Sequence, residues 1–217
     1  MISSNLKKRI LTSLVLFLLV FFIFISNIVL AYSLLVLGVL SVLEFLEISK
    51  RIIKKKLGFT LINIFFASYV FTFVAIFLFS SNNIIIKYLL FILLLGCIAS
   101  DLGGYIFGKI FKGPKLTKIS PNKTYAGALG SIILTLITIS FLFFFLINLL
   151  NFKILIVALI TSISCQLGDL FFSFLKRKAK LKDTGNFLPG HGGVLDRLDG
   201  IFFGIPMGLI TLSLLIK

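Results

Sequence analysis

Charge is scarce in this sequence, and acidic charge scarcest of all. Asp and Glu together number 7 against 22 Lys and Arg, and charged residues make up only 13% of 217 residues, about half the share usual in globular proteins. Histidine occurs once and cysteine twice. Cys97 and Cys165 stand apart in apolar stretches without CxxC or metal-ligand spacing. They exclude a disulfide framework and a cysteine metal site, and read as small core residues. No GxxxxGK[ST] phosphate loop, HExxH zinc motif or GxSxG nucleophile elbow occurs. Nucleotide chemistry here would have to rest on metal ions and on basic side chains gathered from separate helices.

What fills the chain is apolar: 59% hydrophobic residues and a mean hydropathy of +1.17. Phe, Leu and Ile form runs of about 17–25 residues, enough to cross a bilayer core of roughly 30 Å. The expectation is an all-α, polytopic integral membrane protein of about seven spans, at residues 10–26, 28–48, 59–80, 84–108, 126–150, 153–175 and 199–216. The first is too long for a signal peptide. The break between the third and fourth, Ser80–Asn83, is short. No internal repeat or low-complexity linker is visible, and no soluble domain at either end. Residues 1–217 therefore read as a single transmembrane domain.

The basic residues test this division. Loops on alternate sides carry 19 and 3 of the 22 Lys and Arg. The positive-inside rule then places the N-terminus in the cytoplasm and the C-terminus across the membrane. Loop orientation also accounts for the net charge of +15. No basic stripe is interleaved with aromatics on a soluble surface, so nucleic acid is not an expected partner. All seven acids fall near the cytoplasmic side of this topology. Glu44 and Glu47 end the second span, Asp101 and Asp169 sit in the inner parts of the fourth and sixth, and Asp183, Asp196 and Asp199 lie in the last inner loop. A carboxylate inside a span is costly unless it faces a wet cavity, a cation or a partner.

The densest polar stretch is "LKDTGNFLPGHGGVLDRLDG", residues 181–200. In its "DRLDG", Asp196 and Asp199 are spaced i, i+3 and would share a face on a helix. Hard oxygen ligands at that spacing suit Mg²⁺ where substrate phosphates complete the octahedron. The competing reading is that acids simply cap the last span, as the helix dipole favours. Capping explains neither Asp101, in "ASDLGGYIFGK", nor Asp169, in "QLGDLFFSFLKRK"; for these the alternative is pairing with a basic residue of a neighbouring span. "LTKISPNKTYAG", residues 116–127, places Ser120, Lys123 and Thr124 before the fifth span, where helix N–H groups favour an anion. The other reading is a solvated basic loop. "PGHGG" around His191 makes a tight, backbone-rich turn. His191 would serve there as proton carrier, phosphate donor or turn anchor. Gly200, Gly204 and Gly208 form small-xxx-small steps and read as a helix-packing face.

"SFLKRKAKLKDTGNFLPGHGGVLDRLDG", residues 173–200, closely resembles the signature of the phosphatidate cytidylyltransferases. "SDLGGYIFGKIF" (100–111) and "SPNKTYAG" (120–127) are similar to further parts of that family. The resemblance covers most of residues 96–204, whereas residues 1–95 match only as generic spans. Ala126, Phe172 and Asn122 depart from the family's usual residues. The resemblance implies cytidylyl transfer from CTP to phosphatidic acid drawn from the bilayer, with the active site on the cytoplasmic side of the inner membrane. It assigns residues 96–217 to catalytic spans and loops. Asp169, Asp196 and Asp199 would be catalytic and, with Asp101, would hold Mg²⁺; a second, monovalent cation is left open. Lys176, Arg177, Lys182 and Arg197 would hold phosphates, assisted by Ser120, Lys123 and Thr124, while Asp183 and His191 would shape the nucleotide turn. A homodimer is expected by family analogy alone. Two alternatives stand beside it. One is transfer from CTP to another lipid phosphate or an isoprenoid alcohol; the other is a transporter, which predicts ionisable residues through the bilayer depth and repeated halves.

Overall fold

The computed structural model describes residues 18, 21–80, 82–117, 119–185, 187 and 192–215. Among these the chain is α-helical, with an isolated bridge between Lys115 and Thr124 and no strand. We name the helices α1 (Asn27–Ile52), α2 (Lys56–Ser80), α3 (Ile84–Phe111), α4 (Tyr125–Ile147), α5 (Phe152–Lys178), α6 (Leu195–Leu198) and α7 (Ile201–Leu215). Among the described residues six helices are long and apolar enough to cross a membrane, counting α6 and α7 together. They coincide with six of the seven expected spans. The remaining one, residues 10–26, lies largely outside the described residues.

Local chemistry sets the helix ends. Ser26, Asn83 and Thr124 each accept a hydrogen bond from a first-turn amide, of Val29, of Ile85 and Ile86, and of Gly127 respectively. These side chains satisfy donors that have no partner within the helix. Asn83 thereby turns the short break after α2 into a true boundary. Asn148 ends α4 in the left-handed conformation (φ 56°), with its amide donating to Phe144 O and that of Leu149 to Phe143 O. The last turn of α5 carries Lys176, Arg177 and Lys178, the sign its dipole favours there.

Each helix leaves half or more of its apolar span unburied. Charge-free α4 has the smallest buried share of the six spans, 28%. Phe71, Phe79 and Phe145 are among the most exposed side chains. In water such a surface would aggregate; in lipid it is the solvated face.

The chain gathers into two compact units. The first comprises residues 1–82 and 175–197, and the second residues 83–174 and 198–217. In the first, α1 packs on α2 through the stacked rings of Phe45 and Phe66, 3.9 Å between centroids, and through the buried Ser49–Asn63 hydrogen bond. In the second, small residues bring backbones together. A Cβ at Gly103 would collide with the Gly130 carbonyl, and one at Gly130 with the Phe107 side chain. Ser131 and Thr135 donate across this close crossing of α3 and α4 to Ser100 O and Gly96 O. Gly200, Gly204 and Gly208 behave as the sequence suggests: they pack on Cys165, on Cys97 with Cys165, and on Thr161 with Leu93.

Candidate active site

In the second unit, residues 165–169 of α5 contain Asp169 and touch Asp101 and the backbone of Asp199. Cys165 Sγ lies 3.9 Å from Asp101 Oδ1, a weak donor contact. Gly168, which has no side chain to interfere, lets the backbone carbonyl of Asp199 approach within 2.5 Å of where its Cβ would stand. Asp169 follows directly. It forms an ion pair with Lys123, from the loop before α4, and accepts a hydrogen bond from Ser173. The basic partner of Asp169 thus comes from a loop rather than from a neighbouring span. Asp199 is buried and accepts from the Gly200 amide at 2.8 Å.

Lys123 is presented by a compact loop. Leu116 N donates to Lys123 O, Lys123 N to Ser120 O and Tyr125 N to Pro114 O. Ser120 N in turn donates to Thr117 Oγ1, and the Thr124 hydroxyl is occupied by the Gly127 amide. These bonds join residues on either side of Lys123 to one another and to the start of α4.

The first unit contains a different cluster. Asp196 accepts three hydrogen bonds: from Lys176 Nζ at 2.6 Å, from Thr184 N at 2.8 Å and from Gly193 N at 3.1 Å. An ionised carboxylate offers about four acceptor positions, so one is left. Lys176 and Asp196 are both largely shielded, with side chains 13% and 8% exposed. Arg177, Lys182, Asp183 and Arg197 are exposed. His191 lies outside the described residues.

The expected shared helical face for Asp196 and Asp199 is not formed. α6 is a single turn ending at Leu198, Asp199 and Gly200 make a turn, and α7 begins at Ile201. The physical reason lies in contacts on either side of the turn. Asp196 Oδ2 binds the Gly193 amide ahead of α6, while Gly200 packs so closely on Cys165 that its hypothetical Cβ would stand 2.6 Å from Sγ.

Sequence reasoning missed Glu44 as a site residue. It is 1% exposed and accepts hydrogen bonds from Thr184 Oγ1, Val194 N and Leu195 N. A signal was present. Along α1, Glu44 shares its helical face with buried Ser41 and Ile48, whereas Glu47 is exposed.

Asp101, Asp169 and Asp199 offer the hard carboxylate oxygens that Mg²⁺ prefers, and a magnesium site ordinarily completes its shell with water and substrate phosphate. The donor chemistry thus fits that ion. Among the described residues no group of three or more His, Cys, Asp or Glu is gathered closely enough to hold a metal by itself.

Residues 10–215 match the family described as the cytidylyltransferase family. This chain belongs to that family. It is similar to the phosphatidate cytidylyltransferase of Staphylococcus haemolyticus, 48% identical over 110 residues, which are 50% of this chain and 42% of that protein. It resembles the Helicobacter pylori protein of the same name at 42% identity over 112 residues, 52% of this chain and 42% of the relative. The Staphylococcus aureus protein of that name is 44% identical over 110 residues, again 50% and 42% of the two chains. The chain thus matches less than half the length of these curated relatives. Family membership covers nearly the whole sequence; the close identity covers half of it.

Proposed function

We propose that this chain transfers a cytidylyl group from CTP to phosphatidic acid, releasing pyrophosphate and forming CDP-diacylglycerol. One observation carries the reading: in a chain of the cytidylyltransferase family, each unit presents a carboxylate already held by a lysine, Lys123–Asp169 in one and Lys176–Asp196 in the other. An ammonium so held is oriented in advance and can pass to an arriving phosphate.

The chemistry asks little proton transfer of the protein. A phosphate monoester has a second pKa of about 6, so the lipid phosphate is mainly a dianion at neutral pH. Its oxygen attacks the α-phosphorus of CTP. The bond to the bridging oxygen of the β-phosphate breaks, and pyrophosphate leaves with the electron pair. The barrier lies in bringing two anions together. Each pair of unit charges at 4 Å repels by about 4 kcal/mol at an effective dielectric constant near 20. Lys123, Lys176, Arg177, Lys182 and Arg197 would offset that repulsion, with the Ser120 and Thr124 hydroxyls as further donors. Asp101, Asp169 and Asp199 would hold Mg²⁺, which as a Lewis acid stabilises charge on the transferring and leaving groups. Asp196, with three acceptor positions filled, would chiefly orient Lys176. The basic loops would face the cytoplasm, where CTP is supplied, at the leaflet from which the lipid enters.

The test is a proteoliposome assay with phosphatidate and CTP labelled at the α-phosphate, with and without Mg²⁺. Label should move into the lipid phase as pyrophosphate is released. Label that stays in water, or lipid labelled only by γ-labelled CTP, contradicts the proposal.

A further inference from the structure

We infer that Glu44 is a positioning residue for this reaction: from α1 it ties Thr184 to Val194 and Leu195 in a narrow neck, and so sets where Lys176, Lys182 and Arg197 meet the nucleotide phosphates. The inference rests on the cytidylyl-transfer reading above.

The neck is built by two carboxylates that divide one set of donors. Glu44 Oε1 accepts from Val194 N at 2.8 Å, and Oε2 from Leu195 N at 2.8 Å and Thr184 Oγ1 at 2.6 Å. Asp196 takes the neighbouring amides, Gly193 N and Thr184 N. Thr184 is therefore gripped twice, by its hydroxyl and by its N–H. Three consecutive amides, Gly193 to Leu195, are shared between the two acids. The closure leaves no room for side chains. A Cβ at Gly193 would collide with Thr184 Oγ1 and Glu44 Oε2, and one at Gly185 would stand 2.6 Å from Glu44 Oε1.

Among the described residues Glu44 has no ion pair; its partners are all neutral donors. Burying a carboxylate this way is expensive, and an apolar side chain would serve simple packing better. The cost falls where it constrains the charged residues. Lys182 and Asp183 immediately precede Thr184, and Asp196 and Arg197 immediately follow Leu195. Asp196 in turn orients Lys176. Through its three bonds Glu44 locks the relative position of both flanks of the loop. It need not touch either substrate.

Glu44→Gln keeps the shape but leaves one oxygen, and turns an NH₂ group towards amide donors. Thr184→Val removes only the hydroxyl partner. Glu47→Gln, on the same helix but exposed, is the control. Two measurements are made on the full chain in detergent: steady-state transfer from α-labelled CTP, and hydrogen–deuterium exchange of peptides covering residues 193–197 without substrate. Glu44→Gln and Thr184→Val should each raise the KM for CTP at least about tenfold while kcat stays within about threefold. The amides of 193–195 should exchange faster in both. The double variant should be no worse than Glu44→Gln alone, because both act on one neck, and Glu44→Asp should recover part of the loss. Glu47→Gln should match the parent. A folded Glu44→Gln protein with unchanged KM for CTP, or with unchanged exchange at 193–195, overturns the inference. If that variant does not fold, Thr184→Val decides by the same two readouts. If the parent protein transfers no label, the proposed reaction fails, and exchange alone then decides whether Glu44 closes the neck.

Discussion

Replacing Asp196 by Asn tests the geometry of the first unit most severely. The carboxylate holds Lys176 at 2.6 Å and two backbone amides at 2.8 and 3.1 Å, with little exposure on either side of the ion pair. At that separation and an effective dielectric constant near 20, the Coulomb attraction is about 6 kcal/mol. Desolvation of both ions cancels much of it, and truncating one partner of a buried pair typically costs about 3–5 kcal/mol. The Asn oxygen still accepts from an amide, but its NH₂ opposes either the second amide or the Lys176 ammonium. Each weakened bond adds about 1 kcal/mol. A loss of roughly 4 kcal/mol corresponds to nearly a thousandfold if expressed in transfer rate. If expressed in folding, it lowers the thermal midpoint by about 8–16 °C for a chain this size. Purified Asp196→Asn should show one or both in the α-label assay and in thermal unfolding in detergent. A variant with transfer within threefold of the parent and an unchanged midpoint would refute the role given to this carboxylate.

Lys123→Met leaves Asp169, among the described residues, with Ser173 as its partner; because the pair is partly exposed (side chains 25% and 30%), the thermal midpoint should fall by only a few degrees, while transfer should fall much more. Gly103→Ala drives a methyl into the Gly130 carbonyl, a backbone atom that cannot turn aside, and should lower the midpoint markedly, whereas Ala at open Gly113, where nothing lies within 4 Å, should cost only the strain of its φ of 101°. Chelating Mg²⁺ should abolish label transfer and its return should restore it, with Asp169→Asn and Asp199→Asn needing more of the ion than the parent. A cysteine at Lys182 should react with a membrane-impermeant thiol reagent only from the cytoplasmic side; reaction from outside would reverse the proposed orientation.

The helices and their limits were legible in the chain because membrane insertion depends on local quantities. Runs of about twenty apolar residues and the short polar break Ser80–Asn83 act over a few neighbours. The glycines of α7 were readable for the same reason, since their spacing marks a close-packing face whatever lies opposite. The order of residues alone also singled out the acids Asp101 and Asp169 as misfits in lipid. Tertiary structure decided who answers them. Lys123 reaches Asp169 across 46 positions, and Thr184 and Leu195 reach Glu44 across 140 and 151. No periodicity encodes such pairings, because they depend on how helices cross and which amides a turn leaves unpaired. The break at Asp199–Gly200 is of this kind too: "DRLDG" is compatible with a helix, and only the packing of Gly200 on Cys165 and the capture of Gly193 by Asp196 end it there. Hydropathy places a side chain at a depth; only the packed helices give it a partner.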